Sequence, residues 1–240
     1  GDTRAWLDGW LIERGGGRYL TRVDGDELSF ELELTPTQPP MLNGEAGYSR
    51  KGRDPRSASY YYSLPHIAVS GHVQRKGRRV AVTGQAWLDH EWSTALLDPE
   101  ATGWDWIGIN LADGGALMAF RLRDAGGATH WAAASLRRAD GSLATYGPGE
   151  VEFTPGRRWQ SPRTGIEFPV EWRVRAGPLT VELEPLMDDQ ESDSRFTTGA
   201  VYWEGAVRAR SGGAELGRGY LELTGYGEAL RLPGSEDPRP

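Results

Sequence analysis

Apolar and polar residues alternate along several short stretches of this chain, with the period of two that is typical of β-strands. The clearest case is residues 28–34, where every second residue is apolar, and residues 169–174 and 179–184 alternate in the same way. Successive side chains of a strand point to opposite faces, so each stretch is expected to bury one face and expose the other. No stretch shows the i, i+3, i+4, i+7 spacing of an amphipathic helix. The pattern therefore predicts an all-β chain.

Turn signals separate these stretches, because the chain contains 33 Gly and 15 Pro, which are typical of turns. Helices disfavour both residues. In the first half we predict strands at residues 10–13, 18–23, 28–34, 59–64, 67–73 and 80–87. In the second half we predict strands at residues 106–111, 116–123, 129–136, 151–154, 169–174, 179–184, 201–207 and 219–226. Eight evenly spaced strands favour an up-and-down barrel or a sandwich. A barrel of about eight strands has an interior just wide enough for a small apolar ligand.

Two polar stretches are predicted to be loops. Residues 43–58 are glycine-rich and basic, so Arg50, Lys51 and Arg53 are interpreted as part of a solvated loop. Residues 84–93 read Gly-Gln-Ala-Trp-Leu-Asp-His-Glu-Trp-Ser, and they are expected to start at the end of a strand and to run into a loop. Functional residues commonly lie on loops that a rigid scaffold positions.

Composition excludes several classes of function. The 240 residues suffice for one large β domain or two small ones, and the net charge of −7 argues against nucleic-acid binding. The chain has no Cys, which excludes disulfides, thiolate nucleophiles and Cys-based metal sites. No run of about 18 apolar residues occurs, so no membrane-spanning helix is expected. Phosphate-binding loops, dinucleotide fingerprints and nucleophile elbows are also missing, and no cofactor is predicted.

The densest group of ionisable and aromatic residues is Asp89, His90 and Glu91, which lie between Trp87 and Trp92. In an extended segment Asp89 and Glu91 share one face, while His90 takes the other. We therefore do not expect all three side chains to point into one cavity. A second dense group, Trp104-Asp105-Trp106, follows a short distance along the chain.

An acidic run at residues 188–195 lacks the Gly and the terminal Glu spacing of a calcium loop. We interpret Asp189, Glu191 and Arg195 as an ion-pair network that fixes one barrel against another. Three histidines show no metal-ligand spacing: His66, His72 and His130. No metal site is therefore predicted.

Six motifs, in order along the chain, resemble those of the AttH-like, carotenoid 1,2-hydratase-like family. They are residues 48–52, 58–63, 84–92, 103–108, 189–195 and 217–226. Members of that family consist of two lipocalin-like β-barrels in tandem. The resemblance thus implies two consecutive antiparallel barrels: residues 1–95 form the C-terminal part of the first, residues 96–232 form the second, and residues 233–240 are a disordered tail. Family members usually carry a further N-terminal segment, so the first barrel is expected to be incomplete and to be completed by a separate chain or segment.

The resemblance also implies a function. The family's named activity is acid-catalysed addition of water to a C=C bond of an acyclic carotenoid, and related sequences hydrate prenylated compounds or catalyse cyclisation. The implied protein is a cofactor-free lyase or isomerase whose partner is a hydrophobic terpenoid or polyene. The alternative is a non-catalytic lipocalin-like carrier of a lipid-like ligand, peripherally associated with an ABC transporter. A glycan-binding module ranks third. The compartment stays open, with an exported protein favoured over a cytoplasmic one.

Hydrating an alkene requires an acid that protonates carbon, a group that stabilises the cation, and a positioned water. The candidate acids and bases are Asp89, His90, Glu91 and Asp105. The candidate substrate-binding aromatics are Trp87, Trp92, Trp104, Trp106, Tyr60, Tyr62 and Trp203. Structural interpretations compete with these roles: the aspartates suit buried turn carboxylates, His90 suits packing, and the tryptophans suit a core.

Overall fold

A computed structural model describes residues 2–93 and 98–229, and within these two ranges all regular secondary structure is β-strand. The prediction of an all-β barrel fold is confirmed. None of the described segments forms a helix that is long and apolar enough to cross a membrane. The predicted disordered tail lies outside the described residues.

The chain divides into two compact units. The first unit contains Gly1–Met41 and Ser63–Asp89, and the second contains Leu42–Tyr62 and His90–Pro240. Two long strands, β7 (Ala58–Arg75) and β8 (Arg78–Trp92), each contribute residues to both units. The predicted barrel boundary near residue 95 stays a prediction, because contacts rather than barrel closure define these units.

The first unit is an antiparallel meander. Its strands are β1 (Arg4–Leu7), β2 (Trp10–Gly15), β3 (Arg18–Val23), β4 (Leu28–Thr35) and the greater parts of β7 (Ala58–Arg75) and β8 (Arg78–Trp92). They follow the order β1-β2-β3-β4-β7, and β8 also pairs with β7. The alternation at residues 28–34 thus forms β4 as predicted.

Strands β7 and β8 are longer than the sequence pattern predicts. The two strands expected at 59–64 and 67–73 form the single strand β7. Between them, the strand departs from regular geometry at His66, which follows Pro65 and has a positive φ of 52°. The loop expected at residues 84–93 was wrong, because β8 continues to Trp92. This polar segment stays extended since side chains of β7 supply partners for its carboxylates, as Ser63 does for Asp89.

The second unit contains the short strands β5 (Met41–Leu42, which begins in the first unit) and β6 (Tyr48–Arg50), both next to β7. Its large sheet consists of β9 (Gly103–Leu111), β10 (Ala116–Arg123), β11 (Thr129–Arg137), β12 (Leu143–Tyr146), β13 (Val151–Pro155), β16 (Trp172–Ala176), β17 (Leu179–Pro185), β18 (Glu191–Ser194), β19 (Ala200–Ser211) and β20 (Ala214–Leu223). The strand order is β12-β11-β10-β9-β20-β19-β17-β16-β13, with β18 paired to β19. A separate ribbon joins β14 (Arg158–Gln160) to β15 (Glu167–Pro169).

One hydrophobic core fills the large sheet. Leu136 of β11 and Phe153 of β13, from near the two ends of the strand order, belong to the same buried cluster, so the sheet curls around it. Trp172 and Trp203 lie in this cluster at 2% and 0% exposure. The interior positions that we expected to enclose an apolar ligand are therefore occupied by side chains. A ligand site in the second unit would therefore lie outside this core.

Candidate functional site

Four ring side chains from the ends of β7 and β8 form one group in the second unit, which we call the aromatic cluster: Tyr60, Tyr62, His90 and Trp92. Tyr60 stacks on Trp92 with 5.6 Å between ring centroids, and Tyr62 stacks on His90 at 5.3 Å. Trp92 also meets His90 edge to face at 5.1 Å. Tyr60 and Trp92 remain 55% and 49% exposed, so the cluster offers ring faces and edges to a ligand.

His90 is the imidazole of the aromatic cluster. Its ring stacks on Tyr62 and meets Trp92 edge to face, and no described residue forms a hydrogen bond with its nitrogens. The residue is exposed. An imidazole whose nitrogens are open can both donate and accept a proton.

Glu91 lies beside His90 in sequence and is held by an ion pair. Its carboxylate is 2.7 Å from the Lys51 ammonium, and it also accepts a hydrogen bond from the Ser59 hydroxyl. The Lys51 side chain is only 8% exposed, and its ammonium lies 4.0 Å from the centroid of Phe120 and 4.9 Å from that of Tyr61. Aromatic faces and a carboxylate together compensate the buried positive charge.

The interpretation of residues 43–58 as a solvated loop was wrong for its central part. Lys51 is buried, and the Arg50 guanidinium lies over the Trp131 ring at 4.9 Å. The physical reason is that Arg50 ends β6, which pairs with the start of β7. Composition alone could not reveal these partners, because Phe120 and Trp131 lie far along the chain.

Trp106 lies in a row of side chains across four strands. It is directly opposite Phe120 on one side and Glu222 on the other, and Glu222 is opposite Glu204. Residues directly opposite each other share one face of a sheet. The Trp106 indole also donates a hydrogen bond to the Tyr61 hydroxyl at 2.9 Å. The sequence pattern did not indicate either glutamate, because strand register decides which residues become neighbours.

Charge is concentrated at the glutamate end of this row. Burial raises the pKa of the half-buried Glu204 carboxyl. Burial, together with the charges of Glu204 and Glu222, raises the pKa of Tyr220 to about 12. The Trp104 indole donates a hydrogen bond to Glu222 at 2.9 Å. Trp104 and Trp106 thus each use their indole N–H within the second unit.

Asp105 lies in the interior of the second unit and is fully buried. Its carboxylate is 2.5 Å from Arg121 Nε and 3.3 Å from Arg123 Nε, and it accepts a hydrogen bond from the Tyr226 hydroxyl at 2.8 Å. Burial, followed by the charge of Asp105, raises the pKa of Tyr226. Because two guanidinium groups and a hydroxyl already engage this buried carboxylate, we do not assign Asp105 to the candidate site.

Three further candidates do not join the aromatic cluster. Asp89 and Trp87 belong to the first unit, where Asp89 accepts hydrogen bonds from Ser63 at 2.6 Å and from the Trp87 indole at 2.8 Å. Trp203 is fully buried, and its indole donates to the Asp188 carbonyl at 2.7 Å. Its surroundings match the core interpretation of the tryptophans.

The acidic run at residues 188–195 forms ion pairs within the second unit. Asp189 and Glu191 both pair with Arg163, at 2.7 and 3.2 Å, and not with the expected Arg195. Arg195 instead pairs with Asp193 at 2.6 Å, and its side-chain hydrogen bond lowers the pKa of Asp193 to about 2. The ion pairs exist, but their central cation is Arg163.

The first unit carries a surface cleft of about 220 Å³. It is lined by Arg22, Val23, Asp24, Ser29, Phe30, Glu31, His72, Gln74 and Arg79. Most of these side chains are charged or polar, so the cleft does not suit the hydrophobic ligand that the sequence resemblance implies.

Comparison with known proteins assigns the family. The family model described as AttH-like matches residues 1–226. This chain belongs to the AttH-like family. The search of curated protein sequences returned no match.

Solved structures share the fold of this AttH-like chain. An AttH-type protein from Nitrosomonas europaea is 51% identical, with a TM-score of 0.91 over 94% of this chain and 71% of that one. Kievitone hydratase from Nectria haematococca is 18% identical, with a TM-score of 0.73 over 90% of this chain and 68% of that one. CghA, solved with Sch210972, is 11% identical, with a TM-score of 0.54 over 92% of this chain and 68% of that one. At the two lower identities the likeness concerns the fold alone.

Proposed function

We propose that this AttH-like protein is a cofactor-free enzyme of the hydratase or cyclase type, which transfers a proton to a C=C bond of a hydrophobic terpenoid or polyene. The observation that carries the proposal is the position of His90. Its imidazole is exposed and free of hydrogen bonds from the described residues, and it stacks on Tyr62 and meets Trp92 edge to face.

The proposed reaction begins when the His90 imidazolium donates its proton to one carbon of the double bond. The positive charge then develops on the other carbon, where the faces of Tyr60 and Trp92 stabilise it through their quadrupoles. In hydration, a water molecule adds to that carbon and returns a proton to the neutral imidazole. In cyclisation, a second double bond of the substrate attacks the cation, and the cyclised cation then loses a proton to the neutral imidazole. Either sequence leaves His90 in its starting state.

Glu91 and Lys51 support this geometry in our proposal. Neighbouring residues of a strand point to opposite faces, so a fixed Glu91 directs His90 and Trp92 to the other face. Glu91 itself is held by Lys51 and Ser59, and it is therefore assigned a positioning role rather than proton transfer.

The comparisons support the class of reaction only coarsely. Kievitone hydratase is named as a hydratase, and it shares the fold at low identity. This likeness agrees with a hydratase-like family without indicating a substrate. The terpenoid or polyene is proposed because Tyr60 and Trp92 of the cluster offer exposed aromatic faces to an apolar ligand.

The test is incubation of the full chain with acyclic polyenes and prenylated phenols in H₂¹⁸O, followed by mass spectrometry. A hydratase yields a product that is heavier by one labelled water. We expect His90→Ala to abolish the label and Trp92→Leu to lower the rate at least tenfold. The matched control is His72→Ala, which removes an exposed histidine of the first unit and should leave the rate unchanged. Equal labelling by wild type and His90→Ala would refute the proposal.

A second candidate function is a non-catalytic carrier of a lipid-like molecule, working with a membrane transporter. Two observations favour it. The carboxylates of Asp89, Glu91 and Asp105 are all engaged in hydrogen bonds or ion pairs. In the first unit, Trp6 and Trp10 are 68% and 51% exposed, which offers apolar surface to a ligand or to a further polypeptide segment. Co-purification of a ligand that the protein binds and returns unchanged would favour the carrier.

A further inference from the structure

Three side chains that commonly bind metals converge in the second unit, away from the aromatic cluster. One ligand atom from each of Asp98, Glu100 and His130 lies within 4.8 Å of the other two. Asp98 and Glu100 lie in the turn before β9, and His130 lies on β11. The two segments are distant in sequence, which is why no ligand spacing was visible.

The His130 imidazole provides an independent indication of a ligand. Its Nε2 atom is fully buried, and among the described residues no hydrogen bond satisfies it. Asp98 Oδ1 nevertheless lies only 3.2 Å away. Two ligand atoms that share a Zn²⁺ ion at about 2.1 Å each are separated by about 3.0 to 3.4 Å. The observed separation therefore matches a shared ion, although the pair fails as a hydrogen bond.

The charge of the group also calls for a cation. Within the described residues, Asp98 and Glu100 have ion-pair contacts with His130 alone. The Asp98 and His130 side chains are 10% and 11% exposed, so water screens the Asp98 charge poorly, whereas Glu100 lies at the surface. The two carboxylates offer two negative charges to one divalent ion, and the imidazole offers it a nitrogen ligand.

The packing around Asp98 leaves its carboxylate little freedom. A Cβ atom at Gly52 would collide with Asp98 Oδ2. Asp98 Oδ1 accepts a hydrogen bond from the Glu100 backbone N–H at 3.1 Å. The turn thus aims one carboxylate oxygen at His130 Nε2. The exposed Glu100 carboxylate lies 3.6 Å from the other ring nitrogen, Nδ1, and one of its oxygens is within 4.8 Å of the ligand atoms of the other two residues, so it would reach a shared ion by a side-chain rotation.

We propose that Asp98, Glu100 and His130 bind one divalent first-row metal ion, Zn²⁺ or Mn²⁺, which ties the turn at residues 98–101 to β11. One imidazole and two carboxylates suit these ions better than Ca²⁺ or Mg²⁺, which prefer oxygen ligands alone. The role is structural, because the metal joins two segments of the second unit. The proposal replaces our sequence-based expectation of a metal-free protein.

The test is isothermal titration of chelator-treated full chain with ZnCl₂, MnCl₂, CaCl₂ and MgCl₂. We expect one ion per chain for Zn²⁺ or Mn²⁺, and a higher thermal unfolding temperature with the bound ion. His130→Gln and Asp98→Asn should each weaken binding at least about 10-fold. His72→Gln is the control and should bind like wild type.

A measurement on the wild-type chain tests the proposal without relying on variants that could misfold. Co²⁺ added to the chelator-treated wild-type chain should give a visible d–d absorption band, and stoichiometric Zn²⁺ should remove it. Failure of wild type to bind either metal, or full binding by His130→Gln, would overturn the proposal. Binding with the same affinity for all four ions would overturn it as well, because it would indicate nonspecific attraction to the acidic surface.

Discussion

Removing Glu91 from its ion pair with Lys51 should destabilise the protein more than removing Lys51. Lys51 is 8% exposed between two aromatic rings, whereas the Glu91 side chain is 28% exposed. Glu91→Gln leaves a buried ammonium without its counter-ion, and we expect it to lower the free energy of unfolding by about 2 kcal/mol. Lys51→Met keeps the apolar contacts and leaves a carboxylate that can reach water, so we expect a loss of less than about 1 kcal/mol.

Urea denaturation of the two variants and of the double variant measures this asymmetry. The double variant should be more stable than Glu91→Gln, because it no longer contains a buried charge without a partner. Equal losses in the two single variants would show that the pair is effectively solvated.

Asp105 illustrates a buried carboxylate that has a structural role. It neutralises one of two buried guanidinium groups, and Tyr226 completes its hydrogen bonds. We expect Asp105→Asn to lower the free energy of unfolding by about 3 to 5 kcal/mol, because two buried cations lose their counter-ion. Tyr226→Phe should cost about 1.5 kcal/mol, the value of a hydrogen bond to a charged group. Circular dichroism during thermal unfolding checks both; a near-neutral Asp105→Asn would contradict this role.

Strands β19 and β20 place Glu204 and Glu222 directly opposite each other, where like charges destabilise a sheet. Burial raises the pKa of Glu204 in the folded state above its unfolded value. The stability that this group contributes is therefore complete below the unfolded pKa and is lost as pH rises through the folded pKa. We expect Glu204→Gln to raise the melting temperature at about pH 8 and to have little effect near pH 4.

Glu215 is the matched control on β20. A hydrogen bond from Arg218 lowers its pKa, so its contribution has the opposite sign and is lost as pH falls. Glu215→Gln should give no stabilisation at high pH. A Glu204→Gln variant that stabilises the protein equally at both pH values would show that charge is not the cause.

At the scale of the whole molecule, local pattern predicted the strands, and long-range pairing decided the site. The alternation at residues 28–34 predicted β4 correctly, because a strand with one face toward solvent shows this alternation within its own few residues. The burial of Lys51 depends on Phe120, and the opposition of Glu204 to Glu222 depends on register. Sequence placed His90 and Glu91 on opposite faces, but it could not show that Glu91 is engaged and that His90 is open.

The second unit shows the same limit. Eight strands in the second half were predicted, and each has a counterpart in the structure, but the pattern could not tell whether the interior holds a ligand. Trp172 and Trp203 fill that interior. Whether these side chains point inward or outward depends on how the whole sheet curls. A sequence window of a few residues carries no information about that curvature.

Proton transfer from His90 to substrate carbon is the central claim, and deuterium incorporation tests it most directly. The full chain is incubated with a polyene in D₂O, and both recovered substrate and product are analysed by mass spectrometry and NMR. We predict deuterium on the protonated carbon with wild type and with His72→Ala, and none above the uncatalysed background with His90→Ala. This outcome is expected whether hydration or cyclisation follows. Deuterium incorporation that is unchanged in His90→Ala, or a polyene that wild type binds without any exchange, would contradict the account.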